Sequence, residues 1–235
     1  MTERSSPATP TAAPPRPVRA HPSSSSSPST PRATPRSPSK THRSLRPPPP
    51  PATITQEVGC FVSADARLEG SISLGAGCVL HPRCSVRVAP GASVHLADGC
   101  VVEEEAVVTF SGKGAARVGA HTVFMVACRV DLVAGDAVGP WCSFMPRSRL
   151  AGVRLGERCT LAAGTSVDVA HPALRADLGG AEDVPQLPDR TIIHGAANAA
   201  RTWDAGGEAQ ETVLRLSATE YLRDVLPKFN KQRAA

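Results

Sequence analysis

Residues 62–86 read VSADARLEGSISLGAGCVLHPRCSV, and five aliphatic side chains in this stretch, Val62, Leu68, Leu74, Leu80 and Val86, stand six positions apart. The spacing recurs downstream at Leu96, Val102 and Val108, then at Val118, Phe124 and Val130. After some slippage it returns at Val138, Phe144 and Leu150, and again at Leu155, Leu161 and Val167. A period of six is neither the 3.6 of a helix nor the 2 of an isolated strand. It is the signature of a β-helix in which each hexad supplies one short strand and one turn, and three hexads close one triangular coil. The anchor side chain points into the prism. Several anchors are followed by glycine (Leu74-Gly75, Val118-Gly119, Leu155-Gly156), which lets the chain turn a tight corner.

The position four residues after each anchor checks this register independently. It holds Ala66, Ile72, Cys78, Cys84, Cys100, Ala106, Thr122, Cys128, Cys142, Ser148, Cys159 and Thr165. Nearly all are small, as an inward place beside a bulky anchor requires. Six of the seven cysteines fall there, with Cys60 outside, so the thiols read as small core fillers rather than ligands. No C-x-x-C pair is present to suggest zinc. A helical reading fails on the density of glycine and valine and on Pro82, Pro90, Pro140 and Pro146. At a rise of about 4.8 Å per coil, residues 62–196 make six to seven coils and a prism about 30 Å long. Prisms of this kind coil left-handed as a class, so the expected fold is an all-β, left-handed parallel β-helix over residues 52–203.

Interruptions of the period are expected at Ala89–Val94, at Thr109–Arg117 and in a polar, Pro/Gly-punctuated excursion over residues 171–190. A linker near Asp204–Gly207 and a C-terminal helix fill residues 204–235. Ser217 and Glu220 form an S-x-x-E capping box, Leu222, Val225, Leu226 and Phe229 follow at helical spacing, and Pro227 should end or kink the helix.

The charge is unevenly placed. Residues 1–51 carry seven Arg and one Lys against one acid, while residues 52–235 carry 18 Lys+Arg against 20 Asp+Glu. The basic pI therefore belongs to the tail, and a basic nucleic-acid-binding domain is not indicated. Fifteen of the 23 prolines lie in residues 1–51, where Ile, Phe and Cys are absent; such a segment is expected to be disordered. Its Arg/Ser-rich composition resembles an organellar transit peptide, but the prolines oppose the amphipathic helix one forms. Of its six Ser/Thr-Pro steps only Ser37-Pro38-Ser39-Lys40 carries a following basic residue, which makes Ser37 the candidate phosphosite. No apolar run is long enough to span a membrane.

Hexapeptide prisms include acyltransferases and γ-type carbonic anhydrases, so catalytic residues must be sought. A zinc hydrase would need clustered histidines, yet His81, His95, His121, His171 and His194 share no spacing. An acyltransferase would need a general-base histidine; His121 is the candidate, without an acid spaced to orient it. Glu103, Glu104 and Glu105 fall at outward or corner positions, either as a solvated edge or as a binding edge for a basic partner.

With the register fixed, Gly77-Cys-Val-Leu-His-Pro-Arg83, Leu96-Ala-Asp-Gly-Cys-Val-Val-Glu-Glu104 with Glu105, Val118-Gly-Ala-His-Thr-Val-Phe-Met-Val-Ala-Cys128, Thr191-Ile-Ile-His-Gly195 and Tyr221-Leu-Arg-Asp-Val-Leu-Pro-Lys-Phe-Asn230 resemble the dynactin subunit 6 family in order and spacing. The resemblance covers about residues 62–231 and implies a non-enzymatic, cofactor-free subunit in the cytoplasm on the microtubule cytoskeleton. It implies pairing with dynactin subunit 5 beside subunit 4 and the pointed-end actin-related protein, and indirect service to dynein and cargo adaptors. Glu103–Glu105, Tyr221, Leu222, Leu226 and Phe229 are the expected partner-binding residues. The coil near Ala134–Val138 is about one residue short of the family pattern, and the 171–190 excursion and the N-terminal tail are additions to it.

Overall fold

The computed structural model describes residues 52–171, 174 and 184–233, so the expected tail disorder and the Ser37 phosphosite lie outside the described residues. Everything described below lies in the compact unit of residues 47–235.

This unit is a parallel β-solenoid with three faces. The first face runs β1 (Thr53–Gln56), β4 (Ser71–Leu74), β7 (Ala92–Leu96), β10 (Gly114–Val118), β13 (Gly135–Val138), β16 (Arg154–Leu155) and β19 (Gln186–Leu187). The second runs β2 (Phe61–Val62), β5 (Val79–Leu80), β8 (Val101–Val102), β11 (Val123–Phe124), β14 (Ser143–Phe144), β17 (Thr160–Leu161), β20 (Thr191–His194) and β21 (Ala199–Thr202). The third runs β3 (Arg67–Glu69), β6 (Ser85–Val88), β9 (Val107–Phe110), β12 (Arg129–Asp131), β15 (Arg149–Ala151) and β18 (Ser166–Val167). One strand from each face makes one coil, so six coils are complete and β19 and β20 begin a seventh. Among the described residues all strand pairings are parallel except β20 with β21, and an isolated antiparallel bridge joins Ser63 to Gln232. The all-β hexapeptide fold expected from the period is the fold observed.

The core follows the period residue by residue. Every anchor from Val62 to Val167 is buried, and so are all twelve residues four places on. Phe124 and Phe144 stack in adjacent coils with ring centroids 4.9 Å apart. Cys60 belongs to the same construction after all. Cys60, Cys78, Cys100, Thr122, Cys142 and Cys159 follow one another up a single corner, and each Sγ or Oγ donates to a carbonyl one coil on: Gly75, Ala97, Gly119, Gly139, Gly156 and Pro188, at 3.0–3.3 Å. The ladder is thus hydrogen-bonded as well as small. All seven cysteines are free.

Four details differ from the sequence reading. Of the interruption expected at Thr109–Arg117, Thr109 and Phe110 belong to β9 and Gly114–Arg117 to β10, with only residues 111–113 between them. Ala92 and Val94 are buried strand residues of β7, and only Ala89–Gly91 turns; the register is absorbed by a longer strand rather than lost. Gln186–Leu187, inside the expected 171–190 excursion, pairs with β16 and resumes the prism; the remainder of that excursion lies mostly outside the described residues. The glycines after the anchors serve close approach rather than unusual φ. A Cβ on Gly119 would overlap the backbone of Gly139 and Pro140 in the next coil. The short coil expected near Ala134–Val138 appears as a register shift between Arg117 and Val118 against β13.

The helix, α1 (Glu208–Phe229, 22 residues), starts well before Ser217. Gly207 in the left-handed conformation begins it, and Glu208 and Glu211 place acids on its positive first turn. Ser217 and Glu220 match the capping box but lie mid-helix. At 1.5 Å per residue the 22 residues of α1 are about 33 Å long, the span of about seven coils at ~4.8 Å.

Candidate functional site: the helix-covered face and its corner

Along the second face the side chains that point outward are Phe61, Val79, Val101 and Val123 in the first four coils, then Ser143 and Thr160. The apolar part is covered by Leu222 and Leu226 of α1. These two expected partner-binding residues are therefore occupied by the chain's own prism. Tyr221 and Phe229 of the same stretch remain 64% and 81% exposed: Tyr221 lies off the face that Leu222 and Leu226 share, and Phe229, seven residues after Leu222 on that face, is the last residue of the helix.

Higher on the face the contact turns polar. Arg215, nearly buried, donates to the backbone carbonyls of His121, Trp141 and Cys142 at 3.0–3.1 Å, to the Ser143 hydroxyl and to Glu211 one turn back. Arg158 pairs with Glu208 at 3.1 Å and Glu211 at 3.7 Å, and Arg190 with Glu208 at 3.2 Å. Past Phe229, Ala64 donates to the Lys231 carbonyl and Arg233 to the Val62 carbonyl, and the Arg233 guanidinium reaches Ala66. The C-terminal segment thus runs from the last coils to the first.

The carbonyls that Arg215 holds belong to an unusual corner. In each coil the residue before the ladder position has positive φ: Gly59, Gly77 and Gly99 in the first three, then His121, Trp141, Arg158 and Arg190. Left-handed backbone is unfavourable for bulky side chains, and here four lie in succession. Stacking offsets that cost. His121 and Trp141 rings lie 4.4 Å apart, and the Arg158 guanidinium sits 5.0 Å over the Trp141 ring. The Nδ1 of His121 is buried without a hydrogen-bond partner, and burial lowers the imidazole pKa against the opposing pull of Asp98. Asp98 itself accepts from the Ala76 N–H at 2.9 Å. Sequence reasoning missed Arg215 and this column, because Glu211, Arg215, Thr219, Leu222 and Leu226 form a helical stripe that is only partly apolar.

Glu103, Glu104 and Glu105 do not form one patch. The Glu103 carboxylate accepts the Val126 N–H at 3.0 Å, and burial pushes its pKa up. Glu104 pairs with Arg83 at 2.6 Å. Glu105 is exposed in a left-handed corner. Between α1 and the face, Val101, Glu103, Val123, Met125 and Leu222 help line a groove of about 270 Å³. The histidines are dispersed: His95 Nδ1 meets the Ser73 hydroxyl at 2.9 Å, and His171 Nε2 the Asn198 carbonyl at 2.9 Å. Among the described residues no group of three or more His, Cys, Asp or Glu could hold a metal ion, and no helix is long and apolar enough to cross a membrane.

No protein-family model and no curated protein matches the sequence. Solved structures do match the fold. A Bacillus cereus protein assigned to the acetyltransferases superimposes with a TM-score of 0.50 at 13% identity, over 73% of this chain and 90% of its own. A hexapeptide transferase family protein from Anaplasma phagocytophilum gives a TM-score of 0.47 at 12% identity, over 75% of this chain and 92% of its own. The expectation of a non-enzymatic subunit is corrected by the Bacillus cereus structure: a protein assigned to the acetyltransferases shares the fold, so the prism gives no ground for setting catalysis aside. The chain carries the hexapeptide-repeat β-solenoid fold of these structures.

Proposed function

We propose that the chain is an assembly subunit of the dynactin subunit 6 type. It would pair with dynactin subunit 5 beside subunit 4 and the pointed-end actin-related protein, and so support dynein and its cargo adaptors in the cytoplasm on microtubules. The observation that carries the reading is the two-sided apolar character of α1. Leu222 and Leu226 cover the prism while Val213, Leu214 and Tyr221 stay 62%, 69% and 64% exposed. A helix with apolar residues on both sides is one positioned between two bodies. The sequence motifs that resemble the family support the same reading. Affinity purification of the tagged protein is expected to bring down a second hexapeptide-repeat protein with an actin-related filament; recovery of a lone homo-oligomer overturns it.

A second reading, acyl transfer, is favoured by His121. Its Nδ1 is buried, unpaired and held toward the neutral form, the state a general base needs. Acetyl-CoA should then raise the melting temperature of the protein, and His121→Ala should abolish any acetyl transfer. Unchanged melting with acetyl-CoA argues against this reading.

A further inference from the structure

The third face carries an arginine cluster that nothing above uses. Arg129 of β12 and Arg149 of β15 are register partners on adjacent parallel strands, both exposed. Arg147 stands at the corner just before β15, in the left-handed conformation and also exposed. With Ala127 these three arginines line a cleft of about 400 Å³. Like charges one strand apart repel, so cross-strand positions of this kind usually acquire an acid. None is supplied here: among the described residues no side-chain hydrogen bond or ion pair involves Arg129, Arg147 or Arg149. The acids nearest in register are engaged elsewhere. Asp131, two residues along β12, accepts from the Thr109 hydroxyl. Glu105, in the same corner column as Arg147, interacts electrostatically with Arg83.

We propose that this arginine cleft on the third face is a docking site for an acidic protein segment, whose Asp and Glu carboxylates the three guanidinium forks would take in pairs. Arginine suits this occupant, because its planar fork meets a carboxylate through two parallel hydrogen bonds. The cleft exceeds by more than tenfold the roughly 30 Å³ of one water, so a single small ion would leave most of it empty. Apolar neighbours favour a peptide over a free ion: Val126 beside Ala127 is 43% exposed, and Val107 precedes Arg129 in the strand register. The site is separate from the α1 face and does not depend on the function proposed above.

The test uses the full chain, so that the basic N-terminal segment contributes equally to every variant. Fluorescence anisotropy with a labelled peptide of alternating Glu and Ala is compared among wild type, Arg129→Glu/Arg147→Glu/Arg149→Glu, the corresponding triple Gln variant, and Arg67→Glu. Arg67 is exposed on the same face in the first coil. Loss of the charge-assisted bonds should weaken binding at least about tenfold in both triple variants, with Arg67→Glu near wild type. The Gln variant keeps the result readable if the charge reversal perturbs folding. Equal binding by wild type and both triple variants overturns the proposal. So does complete displacement of the peptide by millimolar inorganic phosphate, which would make the cleft an oxyanion site. Equally tight, triad-dependent binding of labelled oligouridylate would assign it to nucleic acid and overturn it too.

Discussion

Arg215 on α1 donates to the carbonyl of Trp141, 74 residues earlier, at 3.0 Å, and Trp141 holds that carbonyl outward from a left-handed backbone. The same guanidinium bonds the His121 and Cys142 carbonyls. One side chain therefore fastens the helix to two successive coils. Replacing Arg215 with Ala would leave Glu211 and the Trp141 carbonyl without this donor. The expected cost is about 3 kcal/mol, read as a lowered melting temperature. Arg215→Lys should recover little, because a point ammonium cannot span these acceptors.

The hydrogen-bonded cysteine ladder and the buried column of Cys84, Ala106, Cys128 and Ser148 should respond differently to serine. At Cys100 and Cys142 a hydroxyl would inherit the bond to Gly119 or Gly156, as Thr122 already does toward Gly139, so Ser should be nearly neutral. At Cys84 and Cys128 no such acceptor is engaged, and Ser148 in that column already has an unpartnered hydroxyl. Serine there should cost about 1–3 kcal/mol. Arginine at Cys128 or Cys159 should unfold the prism; denaturant titration of each variant checks the order.

Alkaline pH should weaken the fold. Burial pushes Cys84 and Cys128 up to about 12 from the ordinary 9.0. The native state keeps the proton where the unfolded chain loses it. This stabilisation is complete below pH 9 and is lost as pH rises from 9 through 12. Melting temperature should fall across that window, and disulfide-exchange reagents at pH 8 should label the buried thiols only after denaturation.

Acid should act through His81 and His121, both lowered from 6.5 chiefly by burial. A depressed pKa gives stability that is present above pH 6.5 and declines as pH falls through the folded value. Glu103, raised by burial, acts in the opposite sense. Melting curves of His121→Gln between pH 7 and 5 should therefore lose less stability than wild type.

Glycine substitutions separate two kinds of constraint. Gly119→Ala would set a Cβ against the Pro140 backbone one coil away, and should cost about 3 kcal/mol or more. Gly91→Ala meets no atom within 4 Å, and only its φ of +78° opposes it. About 1 kcal/mol is expected there, and comparison of the two melting temperatures decides.

The core was legible because volume at a fixed register determines it: Val62 to Val167 and the small residues between them could be assigned from spacing alone. The helix start was not, because Ser217 and Glu220 satisfy a capping pattern, whereas the helix begins at Gly207 with Glu208 and Glu211 in its first turn, ten residues before Ser217. Leu187 was hidden by Pro185 and Pro188, which read as loop until the strand partner Leu155 is known. The corner column was out of reach for another reason. Nothing in His121, Trp141 or Arg158 signals left-handed backbone; each takes the conformation that Gly59, Gly77 and Gly99 adopt freely because the stack of coils imposes it.

The return of the chain's end to its beginning changes how such an array melts. In an open solenoid each coil touches only its neighbours, so either end can fray while the middle persists. Here the Lys231 carbonyl and the Arg233 N–H engage Ala64 and Val62 of the first coil, while Glu208 is held by Arg158 and Arg190 in the last coils. The array is closed into a circuit. The first coil to emerge during synthesis must wait for Lys231 and Arg233 before its edge is complete.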